Sequence, residues 1–270
     1  MNFLKPDSVY KLENIRNELV QMEDFIIFQF IKRSEYPISE KLYSSDPSKR
    51  PVLPDASFTG SFLEYMHREL EILQSKLRRF DAPDETPFFP NDIVPSILEK
   101  VNYPKLLAKG NINYNNKIRH MYIDEILPLI ADNSVDEEYM AQQLGSITVI
   151  DIELLQNLSR RIHFGLFVAE SKYRSDIPKF KKLIQNKDYD GIYKEITNQA
   201  VEDKILERLE RKGESYIYDS NKNKKITSQY LVKIYKDFII PITKEVEVEY
   251  LMSRLDDDDD VSGICPINKD

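Results

Sequence analysis

The sequence contains only one cysteine, seven glycines and three histidines in 270 residues. The single cysteine, Cys265, excludes an internal disulfide and a zinc site built on several thiolates. His67, His120 and His163 lack the spacing of metal ligands, so each is interpreted as a packing or surface residue. No glycine-rich phosphate loop, nucleophile elbow, metal motif or internal repeat is found. We therefore expect neither a metal nor a cofactor.

Basic tracts and long apolar runs are also missing. The chain has 46 acidic and 38 basic residues, with a net charge of −8 and a pI near 5.2. This balance makes nucleic acid and anionic membranes poor partners. No apolar run approaches the roughly 20 residues that cross a bilayer, and no signal peptide precedes the first acidic helix. We expect a cytoplasmic protein.

The sequence is instead rich in helical periodicity, and its low glycine content favours helices over a turn-rich sheet. The predicted helices span residues 8–34, 57–80, 91–99, 113–132, 146–174, 176–185, 188–216 and 228–255. The predicted N-caps are Asp7 or Ser8, Ser146, Ser175 or Asp176, Asp188, and Thr227 or Ser228. Pro241 is expected to kink or locally unwind the last helix.

These segments predict an all-α, single-domain bundle of about ten helices over residues 1–255. Residues 35–57 carry four prolines and are predicted to form a long loop, either functional or mobile. Residues 256–270 begin with a run of five aspartates and are predicted to be a disordered acidic tail.

The central helical stretch, residues 151–174, combines a buried stripe with two cations. The stripe residues recur three or four positions apart: Leu155, Leu158, Ile162, Gly165 and Ala169. Arg161 and Lys172 are eleven residues apart, so a continuous helix places them on one line about 16 Å apart. Such a row suits a small ligand with separated negative groups. The alternative is that both side chains extend outward into solvent.

Other long helices carry polar groups at the edges of their apolar stripes. These groups are Arg16; Asn198 and Glu202; and Thr243, Lys244 and Glu247. Together with Arg161 and Lys172 they could line a pocket in the core of a bundle. The set contains no histidine, serine or cysteine to act as a nucleophile. It is therefore suited to binding a small polyanion and stabilising developing charge without a covalent intermediate.

Five long blocks resemble the all-helical, allosteric chorismate mutases of eukaryotes, above all those of fungi. They are LENIRNELVQMEDFIIFQFIKRS, LRRFDAPDETPFFP, LSRRIHFGLFVAESKYRSDIP, ITNQAVEDKILERL and IPITKEVEVEYL. The likeness extends from about residue 2 to residue 255. It implies the rearrangement of chorismate to prephenate, on the way to phenylalanine and tyrosine. This unimolecular reaction needs no cofactor.

The resemblance also implies roles for the polar groups. Arg16 and Arg161 match the arginines that hold substrate carboxylates, and Lys172 matches the lysine that donates to the ether oxygen. Glu247 matches a glutamate that faces the same oxygen in protonated form. The remaining substrate-binding positions are Asn198, Glu202, Thr243 and Lys244.

The family further implies a homodimer that is inhibited by tyrosine and activated by tryptophan at a shared interface site. The matching effector positions are Arg78, Arg79, Gln143, Gly145, Ser146, Thr148, Val149 and Thr227. Gly145 and Ser146 would come from the partner chain. Fungal relatives often have adjacent asparagines and an aromatic residue where this chain has Gln142, Gln143 and Leu144, and a threonine at the position of Val149.

Two further classes of function remain as alternatives. A non-catalytic helical dimer could keep the effector site and serve as a sensor, and would be expected to have lost Arg161, Lys172 or Glu247. A purely structural helical scaffold predicts no pocket that holds these cations.

Overall fold

A computed structural model describes residues 1–108, 110–132, 137–218 and 225–255. Over these residues the regular structure is entirely helical, which confirms the predicted all-α class. The helices are α1 (Pro6–Val9), α2 (Leu12–Arg33), α3 (Glu40–Tyr43), α4 (Phe62–Lys76), α5 (Asn115–His120), α6 (Leu127–Ile130), α7 (Glu137–His163), α8 (Gly165–Ser175), α9 (Ile177–Gln185), α10 (Tyr189–Ile196), α11 (Gln199–Tyr218), α12 (Ser228–Ile234) and α13 (Ile240–Ser253). Short 3₁₀ turns lie at Arg79–Asp81 and Pro90–Asp92.

Two wider, π-type segments interrupt long helices just before a proline. Met121–Ile126 joins α5 to α6, and Tyr235–Ile239 joins α12 to α13. Proline has no N–H to donate and its ring crowds the carbonyl four residues earlier, so the helix widens ahead of it. The distortion predicted at Pro241 is confirmed, and Pro128 causes a second one that the sequence analysis did not predict.

Helix caps explain several helix boundaries. The side chains of Asp176, Asp188 and Thr227 accept bonds from the amides of Lys179, Gly191 and Tyr230, so these three predicted caps are confirmed. Other expected boundaries were wrong and are corrected as follows. Asp7 and Ser8 lie inside α1, Ser146 lies inside α7, and α4 is capped by Ser61 in a capping box with Glu64.

The predicted helix at residues 91–99 is absent from this described part of the chain. Only Pro90–Asp92 forms a short 3₁₀ turn there. Pro95 removes an amide donor in the middle of the segment and disfavours a helical conformation at Val94, which is why the apolar periodicity did not produce a helix.

Two predicted continuous helices are broken, and both breaks lie near the site described below. The stretch 151–174 divides at Phe164, between α7 and α8. The stretch that starts at Asp188 divides at Thr197 and Asn198, between α10 and α11. The central stripe remains buried despite the first break: Leu155, Leu158, Ile162, Gly165 and Ala169 all lie in the interior.

The main core lies between α2, α4, α7, the α5–α6 unit and the α12–α13 unit. A smaller apolar cluster joins α8, α9, α10 and α13. Within this framework α2 packs on α7, and α8 packs on α13. These four helices, with α9, α10 and α11, enclose the site.

One ionic cluster attaches the start of the 35–57 segment to the core. Arg33 Nε donates to Asp151 Oδ1 at 2.7 Å, and Arg33 Nη1 donates to the Tyr36 carbonyl at 2.7 Å. Arg33 Nη2 donates to the Tyr43 hydroxyl at 2.9 Å, and that hydroxyl donates to Asp151 Oδ2 at 2.6 Å. The Tyr122 hydroxyl donates to Asp151 Oδ1 at 2.5 Å. The start of the predicted loop is therefore bonded to the core, and the loop contains α3.

The predicted acidic tail, residues 256–270, lies outside the described residues. Among the helices that are described, none has a stretch both long enough and apolar enough to cross a membrane.

Candidate active site

A cavity of about 340 Å³ opens between α2, α7, α8, α9, α10, α11 and α13. All eight predicted catalytic and substrate-binding residues line it: Arg16, Arg161, Lys172, Asn198, Glu202, Thr243, Lys244 and Glu247. They come from five helices and one junction between helices. Residues spread over 232 sequence positions thus line one cavity.

The break at Phe164 changes how Arg161 and Lys172 reach the cavity. Arg161 lies in the last turn of α7 and Lys172 in the last turn of α8. They therefore do not lie on one straight helix, as the sequence analysis assumed, yet both face the same space. Gly165 lets α13 approach closely, because a Cβ there would lie 3.1 Å from the carbonyl oxygen of Thr243 and 3.3 Å from Cγ of Glu247.

Lys172 is held from two sides. Its Nζ donates to the carbonyl oxygen of Ile196 at 2.6 Å and to Glu247 Oε2 at 3.0 Å. The Ile196 carbonyl lies at the C-terminus of α10, where helix carbonyls have no intrahelical donor and carry partial negative charge. The break between α10 and α11 thus supplies a partner that orients the Lys172 ammonium group.

Glu247 is a buried carboxyl, 6% exposed, in contact with cations. Burial raises its pKa above the usual glutamate value, and Lys172, Arg161 and Lys244 act in the opposite direction. Burial is the larger influence because it removes the charged form from water. The protonated form of Glu247 is therefore favoured to higher pH than in an exposed glutamate.

Arg161 is only 4% exposed, and its partners are incomplete. Its Nε and Nη1 atoms are buried and have no hydrogen-bond acceptor among the described residues. A buried guanidinium group normally has acceptors for its donors, because leaving them unpaired is costly. Arg161 can therefore bind an anion with little competition from the protein.

The remaining predicted groups complete the wall. Lys244 Nζ lies 2.7 Å from Glu202 Oε1. The hydroxyl of Thr243 donates to the Ile239 carbonyl at 2.7 Å. Asn198 lies ahead of α11 rather than inside a helix, and its Oδ1 accepts from the amide of Val201 at 3.2 Å. Arg16 is exposed and lies at the solvent side.

Five charged or polar residues of the described lining were not predicted as site residues: Ser175, Asp176, Lys179, Glu195 and Thr197. Ser175 and Asp176 were recognised only as candidate caps. Lys179 and Glu195 follow no stripe of a long helix, and their position depends on how α9 folds against α10, which spacing along the chain does not reveal.

The cavity is suited to binding an anion and not to nucleophilic catalysis. Among the described residues, five cations line it: Arg16, Arg161, Lys172, Lys179 and Lys244. This described lining contains no histidine or cysteine, and its serine, Ser175, donates to the Lys172 carbonyl. No group of three or more His, Cys, Asp or Glu side chains in the described ranges is arranged to hold a metal ion.

The predicted effector residues do not converge within one chain. Arg79, after α4, donates to Gln156 Oε1 at 2.8 Å and to Glu85 Oε2 at 3.1 Å. Gly145 lies eleven residues before Gln156 on α7, which is about 16 Å along the axis. Arg78 adopts a left-handed conformation with φ of 70° and donates to the Glu99 carbonyl.

The α7 members of the effector set differ in exposure. Gly145, Ser146 and Val149 are exposed, Gln143 is half-buried, and Thr148 is 4% exposed. The Thr148 hydroxyl donates to the Leu144 carbonyl of its own helix at 2.6 Å. Thr227 caps α12. The buried Thr148 is therefore the member of the α7 set that is least able to meet another chain directly.

Comparisons with known proteins agree with the geometry. Residues 144–248 match the model of the family described as chorismate mutase type II. The chorismate mutase of Saccharomyces cerevisiae is 52% identical over 262 residues, which cover 95% of this chain and 100% of that protein. The crystal structure of Aro7p chorismate mutase from Candida albicans in complex with L-Trp superposes with a TM-score of 0.88, at 48% identity, covering 97% of this chain and 98% of that one.

A more distant structure, AtCM1 with tyrosine bound in its allosteric site, superposes with a TM-score of 0.78 at 38% identity and covers 91% of this chain and 96% of that one. The resemblance seen in the sequence is thus confirmed along nearly the whole chain. The protein is an enzyme, and it belongs to the chorismate mutase family.

Proposed function

We propose that the cavity binds chorismate as a dianion and converts it to prephenate without a covalent intermediate. The ether C–O bond breaks as a new C–C bond forms within the same molecule, so no atom enters or leaves. The protein contributes by holding the compact, reactive conformer and by stabilising negative charge that grows on the ether oxygen.

Arg161 carries this proposal. It is a buried cation with two donor atoms that no described residue accepts from, and it faces a cavity lined by four other cations. We assign Arg161 and Arg16 to the two carboxylates of the substrate. Charge-assisted bonds from a guanidinium group to a carboxylate are strong and directional, so they fix the conformer of the bound dianion.

Lys172 and Glu247 are assigned to the ether oxygen. Their atoms Nζ and Oε2 lie 3.0 Å apart, so one oxygen atom of the substrate can accept from both. The raised pKa of Glu247 supports a protonated carboxyl group that donates instead of repelling the oxygen. Neither proton needs to leave its residue, because stabilisation of the partial charge is sufficient.

The other four residues are assigned to the ring and its substituents. Asn198 lies at the α10–α11 junction and Glu202 in the first turn of α11, and we assign both to the ring hydroxyl and a carboxylate. Thr243 supplies a further carboxylate contact, and Lys244 is held by Glu202 in the same wall.

The test compares two neighbouring arginines on α7. Arg161→Ala should lower kcat/KM for chorismate about 10²- to 10³-fold, as the loss of a preorganised charged donor does. Arg160→Ala is the control, because Arg160 Nε donates to Asp84 Oδ2 at 2.7 Å and the residue does not line the cavity. Loss of chorismate absorbance, without added metal or cofactor, gives the rates. Wild-type turnover in Arg161→Ala would refute the assignment.

We further propose that the enzyme is a homodimer in which tyrosine inhibits and tryptophan activates at a site between chains. Exposed apolar residues support a contact surface: Met66 and Leu73 on α4, and Leu77 at its C-cap. Arg78 and Arg79 follow Leu77 directly, so an exposed Gly145 and Ser146 of a second copy can approach them. The complexes of relatives with L-Trp and with tyrosine support this effector chemistry.

Light scattering and assays at subsaturating chorismate test this regulatory proposal. The wild type should have the mass of two chains, with activity lowered by tyrosine and raised by tryptophan. Arg79→Ala should weaken both responses, whereas Lys76→Ala, in the last turn of α4, should keep them. A monomer, or an unchanged response in Arg79→Ala, would contradict it.

A further inference from the structure

An ion pair lies at the solvent side of the cavity and was not part of the predicted site. Lys179 Nζ on α9 lies 2.6 Å from Glu195 Oε2 on α10 and 3.8 Å from Asp176 Oδ2. All three residues line the same cavity as Lys172 and Glu247. The side chains of Lys179, Glu195 and Asp176 are 43%, 38% and 48% exposed.

The charged groups deeper in the cavity are much less exposed. The side chains of Lys244 and Lys172 are 11% and 24% exposed, and that of Glu247 is 8% exposed. Exposure therefore falls from the Lys179–Glu195 pair toward the floor. The pair lies at the solvent side of the charged lining, as does the exposed Arg16.

The two helices that carry this pair do not depend on it to stay together. Phe180 and Ile184 of α9 pack with Ile192 and Ile196 of α10 in one apolar cluster. The N-terminus of α9 is capped by Asp176, whose carboxylate accepts a hydrogen bond from the backbone amide of Lys179. This cap does not use the side chain of Lys179. Exposed ion pairs contribute little to stability, so a charged ligand can replace one partner easily.

We propose that Lys179 is an entrance residue, a cation that attracts the incoming dianion at the opening of the cavity, and that Glu195 holds its ammonium group when no substrate is present. This inference rests on the proposed binding of a dianion in the cavity. The chain carries a net charge of −8, which opposes the approach of an anion. A cation at the opening offsets that field locally and raises the rate and equilibrium of capture.

The role of Glu195 follows from the same geometry. Its carboxylate neutralises Lys179 and competes with the carboxylate of the substrate for the same ammonium group. Removing Lys179 therefore takes away an attraction, while removing Glu195 takes away a competitor. The two residues form a single contact, yet their effects on substrate capture have opposite signs.

The experiment uses this opposition. Lys179→Gln should lower kcat/KM for chorismate about three- to tenfold at low ionic strength, mainly through KM, and Lys179→Arg should restore it. Glu195→Gln should leave kcat/KM at the wild-type value or raise it by up to about fivefold. Both variants lose the same ion pair, so a merely structural role would lower kcat/KM and Tm in both.

Matched controls come from an exposed pair outside the cavity. Lys49 Nζ lies 2.7 Å from Glu40 Oε1, and neither residue lines the cavity. Lys49→Gln and Glu40→Gln make the same changes in net charge. They should shift kcat/KM by less than about half the effect seen at Lys179, because the field of a remote charge is screened by salt.

Salt provides the second readout. Between about 0.02 M and about 0.5 M ionic strength the Debye length falls several-fold, so the difference between wild type and Lys179→Gln should shrink. A fall in both Lys179→Gln and Glu195→Gln, or a Lys179→Gln variant at or above the wild-type kcat/KM, would overturn the inference. Failure of the proposed function would show elsewhere, as full turnover in Arg161→Ala.

Discussion

Arg33 and Arg161 are both buried guanidinium groups, 0% and 4% exposed, but their surroundings differ. Arg33 donates to Asp151, to Tyr43 and to backbone carbonyls after α2, so it is surrounded by acceptors. Arg161 faces a cavity and leaves Nε and Nη1 without an acceptor among the described residues. The two regions lie on opposite parts of α7, which supplies Asp151 to one and Arg161 to the other.

The difference separates charge that holds the fold from charge that binds a ligand. A buried charge whose bonds are all made within the protein gives up stability if one partner is removed. A buried charge with unpaired donors is held in place by the rest of the fold and gains its partner on binding. Burial alone therefore does not distinguish Arg161 from Arg33, whereas unpaired donors that face a cavity do.

Arg33→Ala should have the largest effect on stability. It leaves the Asp151 carboxylate buried without its cation, which costs about 3–5 kcal/mol of unfolding free energy. Urea denaturation measures this loss, while kcat of the folded fraction should stay near wild type. Arg161→Ala should show the reverse, with activity lost and the unfolding free energy nearly kept.

The control for Arg33 is its neighbour Lys32, which pairs with Glu35 at 2.9 Å on the surface. Lys32→Ala should change the unfolding free energy by about 0.5 kcal/mol or less, because exposed ion pairs contribute little. An Arg33→Ala variant that lost catalytic activity while remaining as stable as wild type would contradict the assignment of Arg33 to stability and of Arg161 to ligand binding.

His163 is a further buried group whose hydrogen bonds are made within the protein, as those of Arg33 are. These hydrogen bonds are satisfied only when the imidazole ring is neutral. Its Nε2 accepts from the Tyr114 amide at 3.0 Å, and its Nδ1 lies 2.9 Å from the Ser159 carbonyl. A protonated ring could not accept from Tyr114. Burial lowers the pKa of His163 to about 4 from an ordinary value of 6.5.

The sign of the pH effect follows from that shift. Between pH 6.5 and about 4 the unfolded chain binds a proton at His163 and the folded chain does not, so acid favours unfolding. The neutral His163 ring therefore contributes about 3 kcal/mol to the unfolding free energy, relative to the acid limit. This contribution is complete above pH 6.5 and is lost as the pH falls toward 4. His163→Gln does not titrate, so the gap in unfolding free energy between it and wild type should narrow in acid. A gap that stays constant from pH 7.5 to 4.5 would contradict this prediction.

The sequence was sufficient to predict the all-α fold and eight of the polar and charged residues that line the cavity. Edge positions on long amphipathic stretches gave Arg16, Arg161, Lys172 and Glu247, and the resemblance to a family assigned their roles. The prediction succeeded because a polar residue beside a buried stripe must lie where the core borders a cavity or solvent. This holds even if the helix ends earlier than predicted.

The breaks between helices and the hydrogen-bond partners of the site side chains could not be predicted from the sequence. Nothing in the periodicity predicts that α7 ends at His163 or that α10 ends at Ile196, because apolar residues recur at helical spacing on both sides of each position. The carbonyl of Ile196, which orients Lys172, follows from the second break. Lys179 and Glu195 were missed for a related reason, since their contact depends on the angle between two short helices.

The central claim is that buried donors, including a protonated Glu247, stabilise charge on the substrate, and the pH profile of kcat/KM tests it most directly. Burial raises the pKa of Glu247, so wild-type kcat/KM should hold through the acid side and then fall about tenfold per pH unit above that pKa. Glu247→Gln always presents an amide donor and should give a flat profile over the same range. An identical alkaline fall in wild type and Glu247→Gln would contradict the account.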